Sequence, residues 1–222
     1  MKEIRLSPST LNLFLECPRC FWLHINESIH RPRGPFPSLP SGMDSVIKVY
    51  FDKYRAKGEL PPEIKGKVEG KLIADLQLLK KWRNWRTGLE YKDNALGVTL
   101  FGALDDCLQD NDHYIVLDYK TRGFPPREGD SEKYYDNQIG CYSLLLEENG
   151  YPTKGIGYLV YYYPEKVEKN GRIDFNIKVV KLNIDPNRAR KTLKDAIKLL
   201  NNSIPPHHSE CEYCIWGRNN DS

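Results

Sequence analysis

Acidic and basic side chains stand at the ends of two apolar runs within residues 102–122, GALDDCLQDNDHYIVLDYKTR. Asp105 closes the first run, and Asp118 closes the second, with Lys120 two residues later. Because side chains alternate between the two faces of a strand, Asp118 and Lys120 point the same way while Tyr119 points to the other side. A turn between the two runs would make a hairpin and bring Asp105 alongside them.

Two carboxylates and one ammonium are costly to bury together unless something neutralises the excess charge. A hard divalent cation would do so, since Mg²⁺ typically binds one or two carboxylates together with water and substrate phosphate. Such a site would activate the water for attack on phosphorus. Lys120 would orient that water or stabilise the transition state.

The spacing of an acid two positions before a lysine is a weak signal by itself. The same spacing starts at Glu63, Glu69 and Glu90. Only Asp118 follows an unbroken apolar run, has an upstream aspartate at a hairpin's distance, and precedes a predicted helix with Gln138 and Tyr142 one turn apart. The spacing of Asp118 and Lys120 alone favours an exposed hairpin end with ordinary charges. Together with Asp105, Gln138 and Tyr142 in this order, it favours a catalytic site.

These motifs resemble those of the PD-(D/E)XK nucleases, in their RecB-like branch. The motifs are Gly102-x-x-Asp105, Asp118-x-Lys120-Thr121 and Gln138-x-x-x-Tyr142, the last similar to the QxxxY motif of that branch. The start of the chain, Ser-x-x-x-Leu followed by Cys-Pro-x-x-Phe, also resembles RecB-like nucleases. The motifs occur in the same order as in the family, and by this order the resemblance covers residues 1–216.

The resemblance implies an α/β, restriction-endonuclease-like fold with an αβββαβ core and a mixed central sheet. It implies a metal-dependent nuclease that hydrolyses DNA phosphodiester bonds, as an exonuclease or an endonuclease. Asp105 and Asp118 would bind Mg²⁺ or Mn²⁺ with the help of the Tyr119 carbonyl. Lys120 would act on water or the transition state, and Gln138 and Tyr142 would position the lysine or the DNA backbone.

One departure from the family concerns a Gly-x-x-x-His motif whose histidine ligates the metal in many RecB-like nucleases. Gly42 fits this motif, but Val46 stands in place of the histidine. Asp44 could replace that ligand, although its spacing from Ser41 predicts a capping box at a helix start. The missing histidine favours an alternative function, a catalytically weak or inactive DNA-binding or scaffold module of a larger complex. The retained carboxylates and lysine favour the enzyme.

Two Cys-x-x-Cys pairs flank the chain and predict one structural metal centre. They comprise Cys17, Cys20, Cys211 and Cys214. Four thiolates suit tetrahedral zinc and a 4Fe-4S cluster equally well, and several RecB-like nucleases clamp their termini with such a cluster. Cys107 and Cys141 have no partner at ligand spacing, so we expect them to be small buried apolar side chains.

The composition is that of a globular protein: 222 residues, 40% hydrophobic and 28% charged, with a net charge of +3. We expect one domain over residues 1–222, with a helical insertion at about 41–86, a catalytic core at about 89–184, and a helix and cysteine clamp at 185–216. No apolar run approaches the ~20 residues of a membrane span. The expected setting is cytoplasmic, with DNA as partner, no membrane, and possible protein partners in a DNA-processing complex.

Hydrophobic periodicity predicts the remaining elements. Strands are expected at 89–92, 97–105 and 113–120 as an antiparallel meander, and at 156–163 and 173–179. Helices are expected from Ser7-Pro8, over 68–79, over 132–148 and from Asp185-Pro186. In residues 80–86, basic residues interleave with Trp82 and Trp85, which either enter the core or stack on bases.

Overall fold

The computed structural model describes residues 4–220, and side chains up to residue 217. The strands are β1 (Ile4–Leu6), β2 (Lys71–Leu72), β3 (Leu89–Asp93), β4 (Val98–Gly102), β5 (Asp106–Asp110), β6 (His113–Thr121), β7 (Thr153–Val167) and β8 (Ile173–Asn183). The helices are α1 (Pro8–Glu16), α2 (Pro18–Asn26), α3 (Ser38–Arg55), α4 (Leu76–Arg83), α5 (Asp130–Glu148), α6 (Pro186–Leu200) and α7 (Glu212–Asn220). Within the described residues, no helix is both long enough and apolar enough to cross a bilayer.

Two sheets organise the fold. The larger one has five strands in the order β2-β5-β6-β7-β8. Within it, β6 and β7 run parallel and are joined through α5, while the other neighbours are antiparallel. The smaller sheet has the order β1-β4-β3, with β1 parallel to β4. This mixed α/β architecture is that of a restriction-endonuclease-like fold, as predicted.

The core covers both faces of the large sheet. On one face Val116 packs in a cluster with Ile139 of α5 and Leu193 of α6. On the other face Leu117 packs in a cluster with Phe51 of α3. A strand that is buried on both faces has a continuous apolar run rather than an alternating one, which explains the uninterrupted sequence before Asp118.

Two helix starts agree with the sequence prediction, and a third lies two residues from its predicted position. Ser7 caps α1 by accepting a hydrogen bond from the Thr10 backbone N–H at 3.2 Å. Asp185 caps α6 by accepting from the Asn187 N–H at 3.0 Å, and a proline occupies the first position of both helices. Helix α5 begins at Asp130, two residues before its predicted start.

The predicted strand over 97–105 is too long, because β4 ends at Gly102 and the chain then changes sheets. The Leu104 N–H donates to the Trp82 carbonyl at 3.0 Å, so this connection bonds to the end of α4 and not to a neighbouring strand. The expected three-stranded meander is consequently two antiparallel pairs in different sheets. Asp105 lies in the connection, immediately before β5.

The predicted helix over 68–79 is also wrong at its start. Leu72 lies in β2, and α4 begins at Leu76 with Asp75 as its cap. Gly70 has a φ of +80°, and a Cβ on it would lie 2.5 Å from the Gln109 carbonyl oxygen. The chain must therefore turn closely against β5 here, which a continuous helix would prevent.

The capping box predicted at Ser41 and Asp44 is absent. Helix α3 begins three residues earlier, at Ser38, and Pro37 at its N-cap makes no side-chain cap. Pro40 lies in the first turn, where its missing N–H removes no helical hydrogen bond. Asp44 is therefore an interior residue of the helix.

Candidate active site

The register of β5 and β6 brings the two predicted carboxylates together. Asp106 pairs with Leu117, so the next position along the ladder sets Asp105 opposite Asp118. The backbone N–H of Tyr119 donates to Oδ2 of Asp105 at 3.2 Å. The two aspartates thus meet in the second half of β6, three residues before its end, although Asp105 precedes β5 and does not end a strand.

Asp118 is almost fully buried, with 1% of its surface exposed. Its carboxylate forms an ion pair with the ammonium of Lys120. Burial raises the pKa of Asp118 to about 7; Lys120 opposes this shift, and the nearby charge of Asp105 adds to it. One lysine therefore does not offset the cost of ionising this carboxyl group.

Lys120 is held from three sides. Besides Asp118, its Nζ donates to Oε1 of Gln138 at 3.2 Å and lies 4.8 Å from the centre of the Tyr135 ring. Burial alone would lower the pKa of this ammonium, but Asp118 and Asp105 raise it above its usual value. Lys120 is therefore a fixed positive charge at neutral pH.

Helix α5 supplies the remaining predicted residues. Nε2 of Gln138 donates to the Tyr142 hydroxyl at 3.0 Å, so the amide joins this tyrosine to Lys120. Tyr142 also packs against Gly102, where an added Cβ would lie 3.0 Å from its ring and 3.0 Å from Leu145. The glycine of the first motif thus leaves room for the tyrosine of the last one.

Helix α3 adds a lysine that the sequence analysis missed. Nζ of Lys48 lies 2.7 Å from Oδ2 of Asp44 and 2.8 Å from Oδ1 of Asp105. Val46 is about half a turn away from both helix residues and is 67% exposed. The four-residue spacing of Asp44 and Lys48 was a visible signal of a pair on one helix face.

A buried charge network supports the site from behind. Asp106 is fully buried and accepts from Arg55 Nη2 at 2.6 Å through both oxygens, from Arg83 Nη2 at 3.0 Å and from the Tyr119 hydroxyl at 2.5 Å. Nε of Arg83 also donates to the Asp105 carbonyl at 2.7 Å. The network therefore restrains the backbone of Asp105 and the ring of Tyr119.

The two tryptophans of the basic and aromatic segment differ, since Trp82 enters the core and Trp85 stays exposed. Trp82 is 1% exposed, and its ring centroid lies 4.8 Å from that of Tyr151 in the core. Trp85 is 72% exposed, and the Arg86 guanidinium lies 4.9 Å from the centre of its ring.

The four flanking cysteines form a compact buried cluster. Sγ of Cys17 lies 3.5 Å from Sγ of Cys214, and Sγ of Cys20 lies 3.6 Å from Sγ of Cys211. All four sulfur atoms lie within 4.8 Å of one another, and none is in a disulfide. The remaining cysteines, at 107 and 141, are fully buried among apolar side chains, as predicted.

Comparison with known proteins agrees with this fold and geometry. The family model of the PD-(D/E)XK nuclease superfamily matches residues 48–218. The chain therefore belongs to the PD-(D/E)XK nuclease superfamily. The match begins within α3, so α1, α2 and the first cysteine pair precede it. No curated protein matches the chain.

Proposed function

We propose that this protein is a metal-dependent nuclease of the RecB-like branch that hydrolyses phosphodiester bonds in DNA. The observation that carries the proposal is the arrangement of Asp105 opposite Asp118, with Lys120 held between Asp118 and Gln138. Membership of a nuclease superfamily supports the same chemistry. The order of motifs and the Gln138–Tyr142 contact support the assignment to the branch.

The donor set fits a hard divalent cation. Asp118 is buried and its pKa is raised to about 7, so its ionised form lacks sufficient positive charge nearby. Mg²⁺ and Mn²⁺ prefer oxygen ligands of this kind. Asp105, Asp118 and the Tyr119 carbonyl would hold the ion. When bound, it would lower the pKa of a water molecule and balance negative charge on the phosphoryl group.

Lys120 would serve as a hydrogen-bond donor and not as a base. In the metal-free site the charges of Asp118 and Asp105 raise the pKa of its ammonium, which favours the protonated, donating form. Gln138 fixes the direction of this ammonium, and Tyr142 fixes Gln138. The ammonium can then stabilise negative charge on a phosphate oxygen without reorganisation.

Helix α3 contributes charge to the site through Lys48, which pairs with Asp105. Asp44 reaches Asp105 only through this lysine, and we therefore leave it outside the proposed ligand set. The helix turns Asp44 and Lys48 towards Asp105 and leaves Val46 mostly exposed. The side chain at position 46 is thus not the one on this helix that meets the carboxylates, which weakens the case for an inactive module.

The test is a cleavage assay on labelled single-stranded and double-stranded DNA with Mg²⁺, with Mn²⁺ and with a chelator. We expect cleavage with either ion and none with the chelator. Binding of DNA without cleavage at saturating metal would instead favour the inactive scaffold module. Absence of both binding and cleavage would contradict both functions.

We further propose that the cysteine cluster binds one zinc ion. Tetrahedral zinc has Zn–S bonds of about 2.3 Å, which places its sulfur ligands about 3.8 Å apart. Two Sγ pairs, Cys17–Cys214 at 3.5 Å and Cys20–Cys211 at 3.6 Å, are close to that separation, and all four sulfur atoms lie within 4.8 Å of one another. A 4Fe-4S cluster binds each thiolate through a different iron and needs them farther apart. Four thiolates leave no open position, so the role would be structural.

A further inference from the structure

A cavity of about 270 Å³ adjoins the candidate active site. Its walls include Ser9 of α1, Trp85, Phe101, Gln138 and Tyr142. Two of these residues belong to the candidate site, and Gln138 contacts Lys120 directly at 3.2 Å. When a phosphate of a DNA strand contacts Lys120, the neighbouring nucleotide of that DNA strand can therefore reach this cavity.

Trp85 forms an aromatic wall that the fold does not need for its own packing. It follows the end of α4, whose core contact is already made by Trp82 at 1% exposure. At 72% exposure, Trp85 keeps most of its surface in contact with solvent. Arg86 stacks at 4.9 Å from its ring centre. An exposed indole beside a guanidinium is a platform on which any nucleobase can stack.

A positive charge beside Trp85 suits a nucleic-acid backbone, and two more lie on the helix that precedes this tryptophan. Lys80 and Lys81 are exposed in the last turn of α4, and Arg86 is exposed beside Trp85. Across the small sheet, the exposed acid Glu90 is paired with Arg5 at 2.5 Å, and Arg5 in turn lies over the ring of Phe101 at 4.9 Å. Exposed cations next to an aromatic wall bind phosphates while the ring takes the base.

We propose that the cavity takes one unpaired nucleobase, stacked on Trp85, next to the phosphate at Lys120. The preferred substrate is then single-stranded DNA or a single-stranded end. A base in a duplex must first leave its stack and its pair to enter, which lowers affinity. This inference rests on the proposed nuclease function.

Binding is measured in a chelator, where cleavage cannot interfere. A labelled single-stranded deoxyoligonucleotide and its duplex are titrated against wild type, Trp85→Ala, Trp85→Phe and Trp216→Ala. Trp216 is a matched control because it is also 72% exposed and lines a different cavity. We expect tighter binding of the single strand, a loss of about tenfold or more in Trp85→Ala, near-normal binding in Trp85→Phe, and no change in the control.

Oligonucleotides with one abasic position then separate a base contact from a phosphate contact. At one position, removal of the base should weaken wild-type binding and leave Trp85→Ala unchanged, because the two changes remove the same interaction. Equal losses of single strand and duplex in Trp85→Ala, or no loss, would overturn the inference. If wild type still cleaves DNA in that case, the nuclease proposal stands. Failure of wild type to bind or cleave would remove both.

Discussion

The ammonium of Lys48 lies 2.8 Å from Oδ1 of Asp105 and joins α3 to the acidic end of the hairpin. Burial alone would lower the pKa of Lys48, but Asp105 raises it, so this lysine stays charged. The other oxygen of Asp105 accepts from the Tyr119 N–H. Both oxygens are thus oriented by the protein itself.

Asp44→Ala should change the free energy of unfolding by about 0.5 kcal/mol or less, as is usual for an ion pair between helix neighbours. A true helix cap would cost about 0.5–2 kcal/mol. Denaturant unfolding measures this difference, and Ser41→Ala, at the other position of the predicted box, should be equally mild. A rise of about tenfold or more in the Mg²⁺ needed for half-maximal cleavage would make Asp44 a ligand after all.

Asp118→Asn and Lys120→Met should each lower the rate of DNA cleavage by about a hundredfold or more. The first removes a charge that the metal balances, and the second removes the fixed donor. Glu69→Ala is the matched control, since Glu69-x-Lys71 has the same spacing but its carboxylate pairs with Lys154 on the surface. Cleavage at wild-type speed by either folded site variant would refute the assignment.

The buried carboxyl of Asp118 predicts a dependence of stability on pH in the metal-free protein. Its pKa is about 7 in the fold and about 3.9 in the unfolded chain. As the pH rises through this window, the unfolded chain loses the proton first, so the free energy of unfolding falls and then levels off. Asp118→Asn should lack this component.

Denaturant unfolding of wild type and Asp118→Asn measures the two free energies of unfolding between about pH 4 and pH 8. This range begins near the pKa of an aspartate in an unfolded chain. Mg²⁺ added near neutral pH should stabilise wild type more than the Asn variant, because it binds the ionised carboxylate. Parallel curves for the two proteins would show that Asp118 ionises normally in the fold.

Asp106→Asn should destabilise the protein by about 3–5 kcal/mol, the usual cost of removing one partner of a buried ion pair. Its main partner, Arg55, has only 2% of its side chain exposed and would keep only the carboxylate of Asp52, at 3.2 Å. Asp110 lies at the other end of β5 and pairs with the surface residue Lys154, so Asp110→Asn should destabilise the protein far less. Equal effects in the two variants would contradict a buried network.

Substitution of any cluster cysteine by serine should release the bound metal and lower the melting temperature. Anaerobically purified wild type should contain one zinc and remain colourless, and Cys141→Ala should keep that zinc because Cys141 packs in the separate main core. Metal analysis and absorption spectra decide the identity. A brown protein with about four irons would replace zinc by a 4Fe-4S cluster, while four freely titratable thiols would exclude a metal centre.

Local patterns predicted much of the fold. The caps at Ser7 and Asp185 and the periodicity of α5 were visible because they depend on residues a few positions apart. The proximity of Asp105 to Asp118 was also expected, although the strand that pairs with β6 is β5 and not the predicted strand over 97–105.

The features that were missed depend on distant partners. Strand β4 ends where the chain passes from the smaller sheet to the larger one, and the residues of β4 do not indicate which sheet the next strand joins. Asp106 was not singled out, because its partner Arg55 is 51 positions away and no local pattern links the two. Trp82 and Trp85 have similar neighbours in sequence, and only the packing of α4 separates a core residue from an exposed one.

The cysteine cluster has a consequence for how the protein is made. Cys17 and Cys214 are 197 positions apart, so a ribosome delivers the first pair of thiols long before the second. All four thiols of the cluster are present only after nearly all of this sequence has been translated. A nascent chain that stalls earlier carries two unclamped thiols. If the cluster binds the proposed zinc ion, capture of that ion would thus be a late step in the synthesis of this sequence.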